Sequence, residues 1–448
     1  MATGNGIKEW QTTAVIIPRT DKDGADGNYT LQYADKESEN NILSLGATAD
    51  YVNLLDASGL GELYFGDNLD VLRHLVHTLR GQVKLIYIDP PYATNSVFHT
   101  RTSHAASYRD DLTGAHYIEF MRQRLVWLRE LLAEDGSIYL HLDGNMIAEM
   151  QVIMEEVFGT KNFRSFITRR KCSNKNSTRK TYGNVSDYLL FFSKSDNYTW
   201  NRPMEGWTPE KIAKEYQCVE AGSGRRYKKV PIHAPGIRNG QTGQPWRGLM
   251  PPPGKHWQYV PDRLDELDQK GEIYWSATGN PRRKVYLDTT EGISVQDIWL
   301  DVPDSVNQNS KSTGYPTEKN PQLLARIIEA SSNPGDLVMD CFAGSGTTLG
   351  VAQEKGRRWL GVDNSMVAVE CIFRRFFNGV VSMGDYVTVA GKQQVASNGQ
   401  VSLFENAAPS AANVAKDALG AFSFYCDSRY RLACNKLAEF DHMFNANL

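Results

Sequence analysis

The sequence predicts an α/β protein with a mostly parallel sheet, and three observations support this prediction. Segments with strand and helix patterns alternate from Leu63 onwards, as in chains that build right-handed strand–helix–strand units. Residues 84–88 (KLIYI) are continuously apolar, which is typical of a strand buried in a parallel sheet. The same alternation returns between residues 320 and 363, after a long stretch with weak helical periodicity. We therefore expect an α/β domain with a separate, irregular, β-rich domain inserted into it.

The elements of the first half follow from the spacing of apolar residues. We expect strands at 63–65 and 84–88, with a helix at 69–80 between them. A second helix at 115–133 then leads through a turn at 134–136 into a strand at 137–142. In the second half, we expect helices at 320–333 and 347–355 and strands at 187–195, 336–340 and 357–363. Residues 1–50 suggest a loosely ordered extension, and the C-terminal tail has a helical pattern at 412–440.

Composition and charge exclude several classes of protein. The chain has 448 residues, 41% hydrophobic and 23% charged, which is ordinary for a globular protein of two to three domains. No apolar run approaches the roughly 18 residues of a membrane span, and the N-terminus lacks a signal-peptide core. The six cysteines form no CxxC pair and no zinc spacing, and they are too sparse for a disulfide scaffold. We expect a cytoplasmic protein with no membrane association and no metal.

Clusters of cations suggest local contacts with nucleic acid, although the formal net charge is only -3. Residues 161–180 carry eight Lys or Arg and no acid, so they could neutralise several phosphates. A solvated surface is the alternative interpretation. The candidate DNA contacts are Arg169, Arg170, Lys171, Lys175, Arg179, Lys180, Arg225 and Arg226.

The first motif with chemical meaning is Asp89-Pro90-Pro91-Tyr92, directly after the strand at 84–88. Two prolines cannot continue a strand, so the chain must turn outward at the sheet edge where α/β proteins bind ligands. This turn presents a carboxylate, a carbonyl oxygen and an aromatic ring. Two acceptors and a stacking surface are what an exocyclic amine on a nucleobase requires. A plain strand-ending turn is the alternative interpretation.

The second motif is a glycine-rich turn between a strand and a helix, which spans residues 340–348 (DCFAGSGTT). Its glycines let the backbone approach a ligand closely. Asp363 ends the next strand, where an acidic residue commonly binds ribose hydroxyls. The spacing does not fit GxGxxG, and no Lys follows Gly346 as in a P-loop. An adenosine cofactor without a phosphate chain remains, namely S-adenosylmethionine.

Together, the two motifs resemble those of the amino-methyltransferases that methylate DNA bases. The DPPY motif precedes the glycine turn, and a long basic segment separates them, which resembles the permuted β class that includes type III modification subunits. The resemblance covers about residues 60–380. It implies a Rossmann-like S-adenosylmethionine-dependent methyltransferase fold with circularly permuted motif order. The implied domains are an N-terminal extension (1–55), a catalytic half (56–164), an inserted target-recognition domain (165–300), a cofactor-binding half (301–383) and a C-terminal extension (384–448).

The resemblance also implies roles for individual residues. Asp89 and the Pro90 carbonyl would accept hydrogen bonds from the target amine, and Tyr92 would stack on the flipped base. The implied cofactor-binding residues are Asp67, Thr317, Lys319, Asp340, Phe342, Gly344, Ser345, Gly346, Thr347 and Asp363. Asn320 and Cys341 depart from the family pattern, which has proline at these positions. His141 and Asp143 either line the pocket or are structural.

The reaction implied is methyl transfer to the N6 amine of adenine flipped out of double-stranded DNA, because Asp in the first motif position resembles the adenine branch. Two alternatives remain open: a cytosine-N4 or RNA amino-methyltransferase, and a DNA-binding subunit that only recognises its site. A bacterial or phage origin, a homodimer and a cognate restriction subunit are compatible with the resemblance.

Overall fold

The structure is a computed structural model of the chain, and it describes residues 15–18, 29–57, 59–91, 96–99, 106–110, 114–173, 180–304, 313, 315, 318–378 and 422–438. It divides into two compact units. The main unit comprises residues 1–201 and 296–448, and the insertion unit comprises residues 202–295.

Fourteen of the strands in the described parts belong to the main unit. They are β1 (Val15–Pro18), β2 (Tyr29–Gln32), β3 (Tyr51–Leu55), β4 (Gly61–Phe65), β5 (Val83–Ile88), β6 (Ser96–His99), β7 (Ala106–Asp110), β8 (Leu132–Leu142), β9 (Phe163–Arg170), β10 (Ser186–Ser193), β19 (Ile298–Trp299), β20 (Leu337–Asp340), β21 (Arg358–Asp363) and β22 (Ser423–Asp427). The insertion unit contains β11 (Met204–Glu205), β12 (Cys218–Val219), β13 (Arg226–Pro231), β14 (His233–Pro235), β15 (Lys255–Trp257), β16 (Ile273–Trp275), β17 (Pro281–Tyr286) and β18 (Ile293–Ser294).

The α-helices are divided between the same two units. The main unit contains α1 (Glu39–Ser44), α2 (Asn68–Leu79), α3 (Gly114–Leu131), α4 (Ile147–Phe158), α7 (Pro321–Ser331), α8 (Thr347–Glu354), α9 (Met366–Asn378) and α10 (Arg431–Ala438). The insertion unit contains α5 (Pro209–Glu215) and α6 (Pro261–Gln269). No helix in the described parts of the chain is both long and apolar enough to cross a membrane.

A ten-stranded sheet organises the main unit, in the order β19-β9-β10-β8-β5-β20-β21-β4-β22-β3. Its six central strands, from β8 to β22, are all parallel. β10 pairs antiparallel with β8 and β9, and β3 pairs antiparallel with β22 at the other end. This parallel centre confirms the predicted α/β fold.

The sequences of the central strands are apolar because these strands lie in the core of the main unit. Ile86 and Ile88 of β5 are fully buried in one cluster with side chains of α2, α3 and α4. In α7, the residues Leu323, Leu324 and Ile327 form a buried stripe at helical spacing. The start of helix α7 is determined by its sequence. Asn320 is the N-cap, whose side chain accepts a hydrogen bond from Gln322 N, and Pro321 occupies the first turn.

Two predictions for the chain ends were wrong. The N-terminal region is not a loose extension throughout, because Leu31 and Ile42 are buried in the core and β3 closes one end of the main sheet. In the C-terminal region, β22 lies inside the sheet between β4 and β3, so residues 423–427 form a strand where the sequence predicted part of a helix at 412–440. Cys426 and Cys434 are joined by a disulfide bond, which the sequence did not suggest. Residues 412–421 and 439–440 lie outside the described residues.

Two internal boundaries also differ from the prediction. Residues 134–136 do not form a separate turn but belong to β8, at a bulge where pairing with β5 jumps from Leu132 to Ser137. The insertion unit begins at Arg202 rather than 165, because β9 and β10 hydrogen bond into the main sheet.

Candidate active site

The carboxyl ends of neighbouring parallel strands bring four predicted acidic residues to one edge of the main sheet. Asp89 follows β5, Asp340 ends the adjacent β20, Asp363 ends β21, and Asp67 lies two residues beyond β4. Open α/β sheets bind ligands at this edge. The fold therefore assembles residues from both sequence motifs at one place.

Asp89 is anchored by a cation from the second half of the chain. Lys319 Nζ forms an ion pair with Asp89 Oδ2, and Lys319 directly precedes the N-cap of α7. Pro90 is buried and Pro91 is half-buried, so the motif leaves the sheet along a confined path. Tyr92 and Thr317, two further predicted site residues, lie outside the described residues.

The glycine turn has a backbone that only glycine adopts readily. Gly344 has φ +51° and Gly346 has φ +72°, both in the left-handed region. A Cβ at Gly346 would approach Ile372 Cγ1 to 2.7 Å, whereas a Cβ at Gly344 would meet nothing closer than the Tyr315 ring at 3.6 Å. The turn is therefore tightly packed against Ile372 at Gly346, whereas Gly344 has free space next to its backbone. Such an open cradle fits a ligand that approaches the backbone closely.

Two carboxyl groups, the buried Asp340 and the half-buried Asp363, hydrogen bond to this turn. Asp340 accepts hydrogen bonds from Phe342 N at 3.0 Å and from Thr348 Oγ1 at 2.6 Å. Asp363 accepts from Gly344 N and from Ser365 N, both at 2.8 Å. Burial raises the pKa of Asp340 to about 7 and is also the main cause that raises the pKa of Asp363.

Ser345 and Thr347 contribute to the turn through their own hydroxyl groups, which lie 2.9 Å apart. Sequence reasoning missed the cation that fixes them. Arg375 of α9 donates to Ser345 O at 2.8 Å and to Thr347 Oγ1 at 3.0 Å, and it forms a buried ion pair with Glu318. No local pattern around Arg375 indicates this contact, because α9 simply reads as an amphipathic helix with a cation near its end.

Asp67 has a structural role as well as a place in the site. Its carboxylate caps α2 by accepting from Leu69 N at 2.9 Å, and Arg124 lies 3.2 Å away. Arg124 also donates to Asn68 Oδ1, and Asn68 Nδ2 donates to Cys341 O at 2.8 Å. This bridge connects the loop after β4 with the loop after β20. It was also missed at the sequence level.

His141 is fully buried beside the DPPY motif, with its Nδ1 4.0 Å from Asp89 Oδ1. Asp143 shapes the next turn, where it accepts from Asn145 N at 2.9 Å.

The prediction that Arg169 contacts DNA is corrected, because its side chain is fully buried and paired with Asp187 and Asp304. A guanidinium in this position stabilises β9 and β10 and cannot reach a phosphate.

The remaining predicted DNA contacts are distributed over the surface. Arg170 and Lys180 are exposed and Lys171 is half-buried, whereas Lys175 and Arg179 lie outside the described residues. Arg225 forms a bidentate ion pair with Asp288, with both N···O distances at 2.8 Å. Arg226 donates to the Tyr216 carbonyl oxygen at 3.3 Å. Both lie in the insertion unit. Among the described residues, no group of His, Cys, Asp and Glu could hold a metal ion.

This architecture, with an acidic DPPY motif beside a glycine turn at the carboxyl edge of a parallel sheet, is that of an α/β methyltransferase. The DNA methylase family, which groups N6 and N4 methyltransferases, matches residues 83–374. The chain belongs to this family.

Individual relatives agree with this assignment. The chain is 45% identical to the type II methyltransferase M.EcaI of Enterobacter cloacae over 372 residues, which cover 82% of this chain and 81% of that protein. It is 27% identical to the StyLTI Mod subunit, from a type III restriction-modification enzyme of Salmonella typhimurium, over 70% of this chain and 53% of the relative. A crystal structure of TTHA0409 from Thermus thermophilus with S-adenosyl-L-methionine matches 71% of this chain and 94% of that chain, at 18% identity and a TM-score of 0.37. The family match and the identity to M.EcaI confirm the resemblance seen in the motifs.

Proposed function

We propose that this protein is a site-specific DNA methyltransferase that transfers a methyl group from S-adenosylmethionine to the N6 amine of adenine. The observation that carries the proposal is the position of Asp89 and Pro90 at the sheet edge, on the strand adjacent to the glycine turn. The names of its relatives further support a role as the modification enzyme of a restriction-modification system.

The cofactor site is assigned to the turn after β20 and the end of β21. S-adenosylmethionine supplies a methyl group activated by a sulfonium sulfur. The open backbone at Gly344 and the half-buried side chain of Phe342 would hold the cofactor when it is bound. The Asp363 carboxylate accepts two backbone N–H groups and retains acceptor capacity for ribose hydroxyls.

The chain's own contribution to the reaction is to hold and polarise the amine. The lone pair of an adenine amine is delocalised into the ring and is therefore a poor nucleophile. Hydrogen bonds from the amine to the Asp89 carboxylate and the Pro90 carbonyl draw the lone pair back onto nitrogen and orient it. The proton that the amine loses passes to the Asp89 carboxylate. Because these atoms cannot reach a base inside a duplex, the target is flipped out at a cost of a few kcal/mol.

The insertion unit provides a surface with the chemistry of a DNA contact. In the pairing of β13 with β17, Lys229 lies opposite Lys284, and Pro231 lies opposite Arg282. Directly opposite residues share a face, so these cations point the same way. The other face of this sheet carries Ile273, which is buried against Trp246, Trp257 and α6.

Tyrosine rings lie under these cations. Lys229 Nζ lies 3.5 Å from the centre of the Tyr274 ring, and Lys284 Nζ lies 5.4 Å from that of Tyr227. Lys284 is paired with Glu220, but Lys229 and Arg282 form no ion pair with any carboxylate of residues 202–295. We assign phosphate contacts to Lys229 and Arg282, in addition to the cations expected from the sequence other than the buried Arg169.

The test is a methyl-transfer assay with purified full-length protein. Labelled S-adenosylmethionine is incubated with duplex DNA from a host without methylation, and the DNA is digested to nucleosides. Label in N6-methyl-2′-deoxyadenosine supports the proposal. Label in N4-methyl-2′-deoxycytidine would show that cytosine, not adenine, is the target. Binding of S-adenosylmethionine without label in the DNA would contradict DNA methyltransferase activity.

A further inference from the structure

A short C-terminal segment lies at the edge of the sheet where the cofactor is proposed to bind. Strand β22 runs parallel to β4 and pairs Cys426 with Phe65. On its other side, β4 pairs Phe65 with Asp363, the carboxylate assigned to the ribose. The carboxyl ends of β21, β4 and β22 therefore lie side by side. The family match ends at residue 374, so β22 and the residues after it lie outside that match.

The turn that follows β22 is fixed by hydrogen bonds to the main unit. The buried carboxylate of Asp427 accepts from Arg429 N and from Arg429 Nε, both at 2.9 Å. Ser428 N donates to Asp50 O at 2.8 Å, next to the start of β3. The disulfide bond described above joins β22 to α10 and closes the segment. The backbone that presents Tyr430 is therefore held from both sides.

Tyr430 places an aromatic ring beside the end of β4. Its ring centre lies 5.7 Å from that of Phe65, with an angle of 83° between the two planes. Phe65 is buried at 6% exposure, whereas Tyr430 is 49% exposed. Gly66 follows Phe65 directly, and its N–H donates to Asp363 O at 3.1 Å. Part of the Tyr430 ring is thus packed against the protein, and the remainder is available to a ligand at this edge.

The order of the strands determines which part of S-adenosylmethionine would reach this ring. The methyl group would have to approach an amine held by Asp89 after β5, whereas the ribose is assigned to Asp363, two strands further along the sheet. The adenine and the sulfonium are attached to opposite ends of the ribose. An extended cofactor would therefore direct its adenine away from β5, towards β4 and β22. Aromatic side chains bind nucleobases by stacking, and Tyr430 supplies such a ring there.

We propose that Tyr430 is a cofactor-binding residue that contacts the adenine ring of S-adenosylmethionine. This inference depends on the proposed function, since it extends the same cofactor site. Strand β22 is four strands along the sheet from β5, which is roughly 19 Å at the usual strand spacing. Tyr430 is therefore remote from the amine at Asp89. Its contribution is to cofactor affinity and not to the methyl-transfer step.

Two substitutions separate the aromatic ring from its packing role. Tyr430→Leu keeps an apolar side chain against Phe65 but removes the aromatic face. Tyr430→Phe keeps that face and removes only the hydroxyl. The matched control is Leu432→Ala, which removes an apolar side chain that is 86% exposed and lies two residues further along the same segment.

The experiment compares the full-length wild type with these three variants. Isothermal titration calorimetry measures the Kd for S-adenosylmethionine, thermal unfolding measures Tm, and kinetics at saturating cofactor measure kcat. We expect Tyr430→Leu to raise Kd about tenfold, with Tm and kcat close to those of the wild type. Tyr430→Phe should recover most of this affinity, and Leu432→Ala should bind as the wild type does.

The outcomes separate this inference from the proposed function. If the wild type binds S-adenosylmethionine and Tyr430→Leu binds it equally well, the role of Tyr430 is refuted while the function stands. An equal loss of affinity in Tyr430→Phe or in Leu432→Ala would also refute stacking by the ring, as would a loss of kcat at saturating cofactor. A wild type that does not bind S-adenosylmethionine would overturn the proposed function, and this inference with it.

Discussion

Lys319 Nζ pairs with Asp89 Oδ2 although the two residues are 230 positions apart in the sequence. The pair connects the strand that presents the DPPY motif with the helix that precedes the cofactor turn. The proposed substrate acceptor and the glycine turn proposed to bind the cofactor are thus held by one framework. A buried or half-buried ion pair of this kind is costly to break from one side, since it leaves an uncompensated charge.

We predict that Lys319→Met lowers kcat by ten- to a hundredfold, because Asp89 loses the cation that orients it. Steady-state kinetics with saturating DNA measure this effect. The control is Lys355→Met, which removes a half-buried lysine paired with the exposed Glu329 on α7 and should change kcat by less than about twofold. Equal kinetics in the two variants would contradict the positioning of Asp89 by Lys319.

A second prediction concerns the cofactor turn. Gly346→Ala should lower the affinity for S-adenosylmethionine by at least about tenfold, because the new methyl group collides with Ile372 in a left-handed backbone. Isothermal titration calorimetry measures this affinity. Gly335→Ala is the matched control, since Gly335 has φ +86° but nothing within 4 Å of a Cβ. It should lose about 1–2 kcal/mol of stability and retain affinity.

A third prediction follows from the raised pKa of Asp340. The folded protein holds a proton on this carboxyl up to about pH 7, whereas the unfolded chain releases it near its ordinary pKa of 3.8. The contribution of Asp340 to stability therefore falls as the pH rises from about 4 to 7. Asp340→Asn removes this titration. The free energy of unfolding of the variant, relative to that of wild type at the same pH, should therefore increase with pH by up to a few kcal/mol. Urea unfolding at pH 5 and pH 8 tests this; a constant difference would contradict the raised pKa.

A fourth prediction concerns DNA binding by the insertion unit. The double variant Lys229→Ala/Arg282→Ala should weaken duplex binding and reduce the slope of log K against log salt by about 2, since each phosphate contact contributes about 0.9. Fluorescence anisotropy at several salt concentrations measures the slope. Arg263→Ala is the control, because Arg263 is an exposed cation of α6 already paired with Glu266. Equal slopes for both variants would place the DNA elsewhere.

The sequence was sufficient to predict those parts of the fold that are encoded locally. The sequence KLIYI is typical of a buried parallel strand because both of its faces are covered by apolar neighbours. The proline turn at Asp89-Pro90-Pro91 marks the end of β5, and the glycine turn marks the end of β20. Once the strands are parallel, their carboxyl ends meet. The convergence of Asp89, Asp340 and Asp363 could therefore be predicted without coordinates.

The missing parts depend on contacts between distant segments. Nothing near Arg375 or Glu318 in the sequence indicates their ion pair, and Arg169 looks like any cation in a basic run until Asp187 and Asp304 surround it. Residues 423–427 read as part of a tail because a short strand without alternation carries little signal on its own. Its place in the sheet comes from pairing with β4 and β3.

The central claim is that the protein methylates adenine N6 in DNA through Asp89. The most direct measurement is expression of the wild type and of Asp89→Ala in a bacterial host without DNA methylation, followed by single-molecule sequencing of the genome. We predict N6-methyladenine at one fixed motif with the wild type, and an unmodified genome with Asp89→Ala although the purified variant still binds duplex DNA. N4-methylcytosine, or methylation that persists in the Asp89→Ala strain, would contradict the claim.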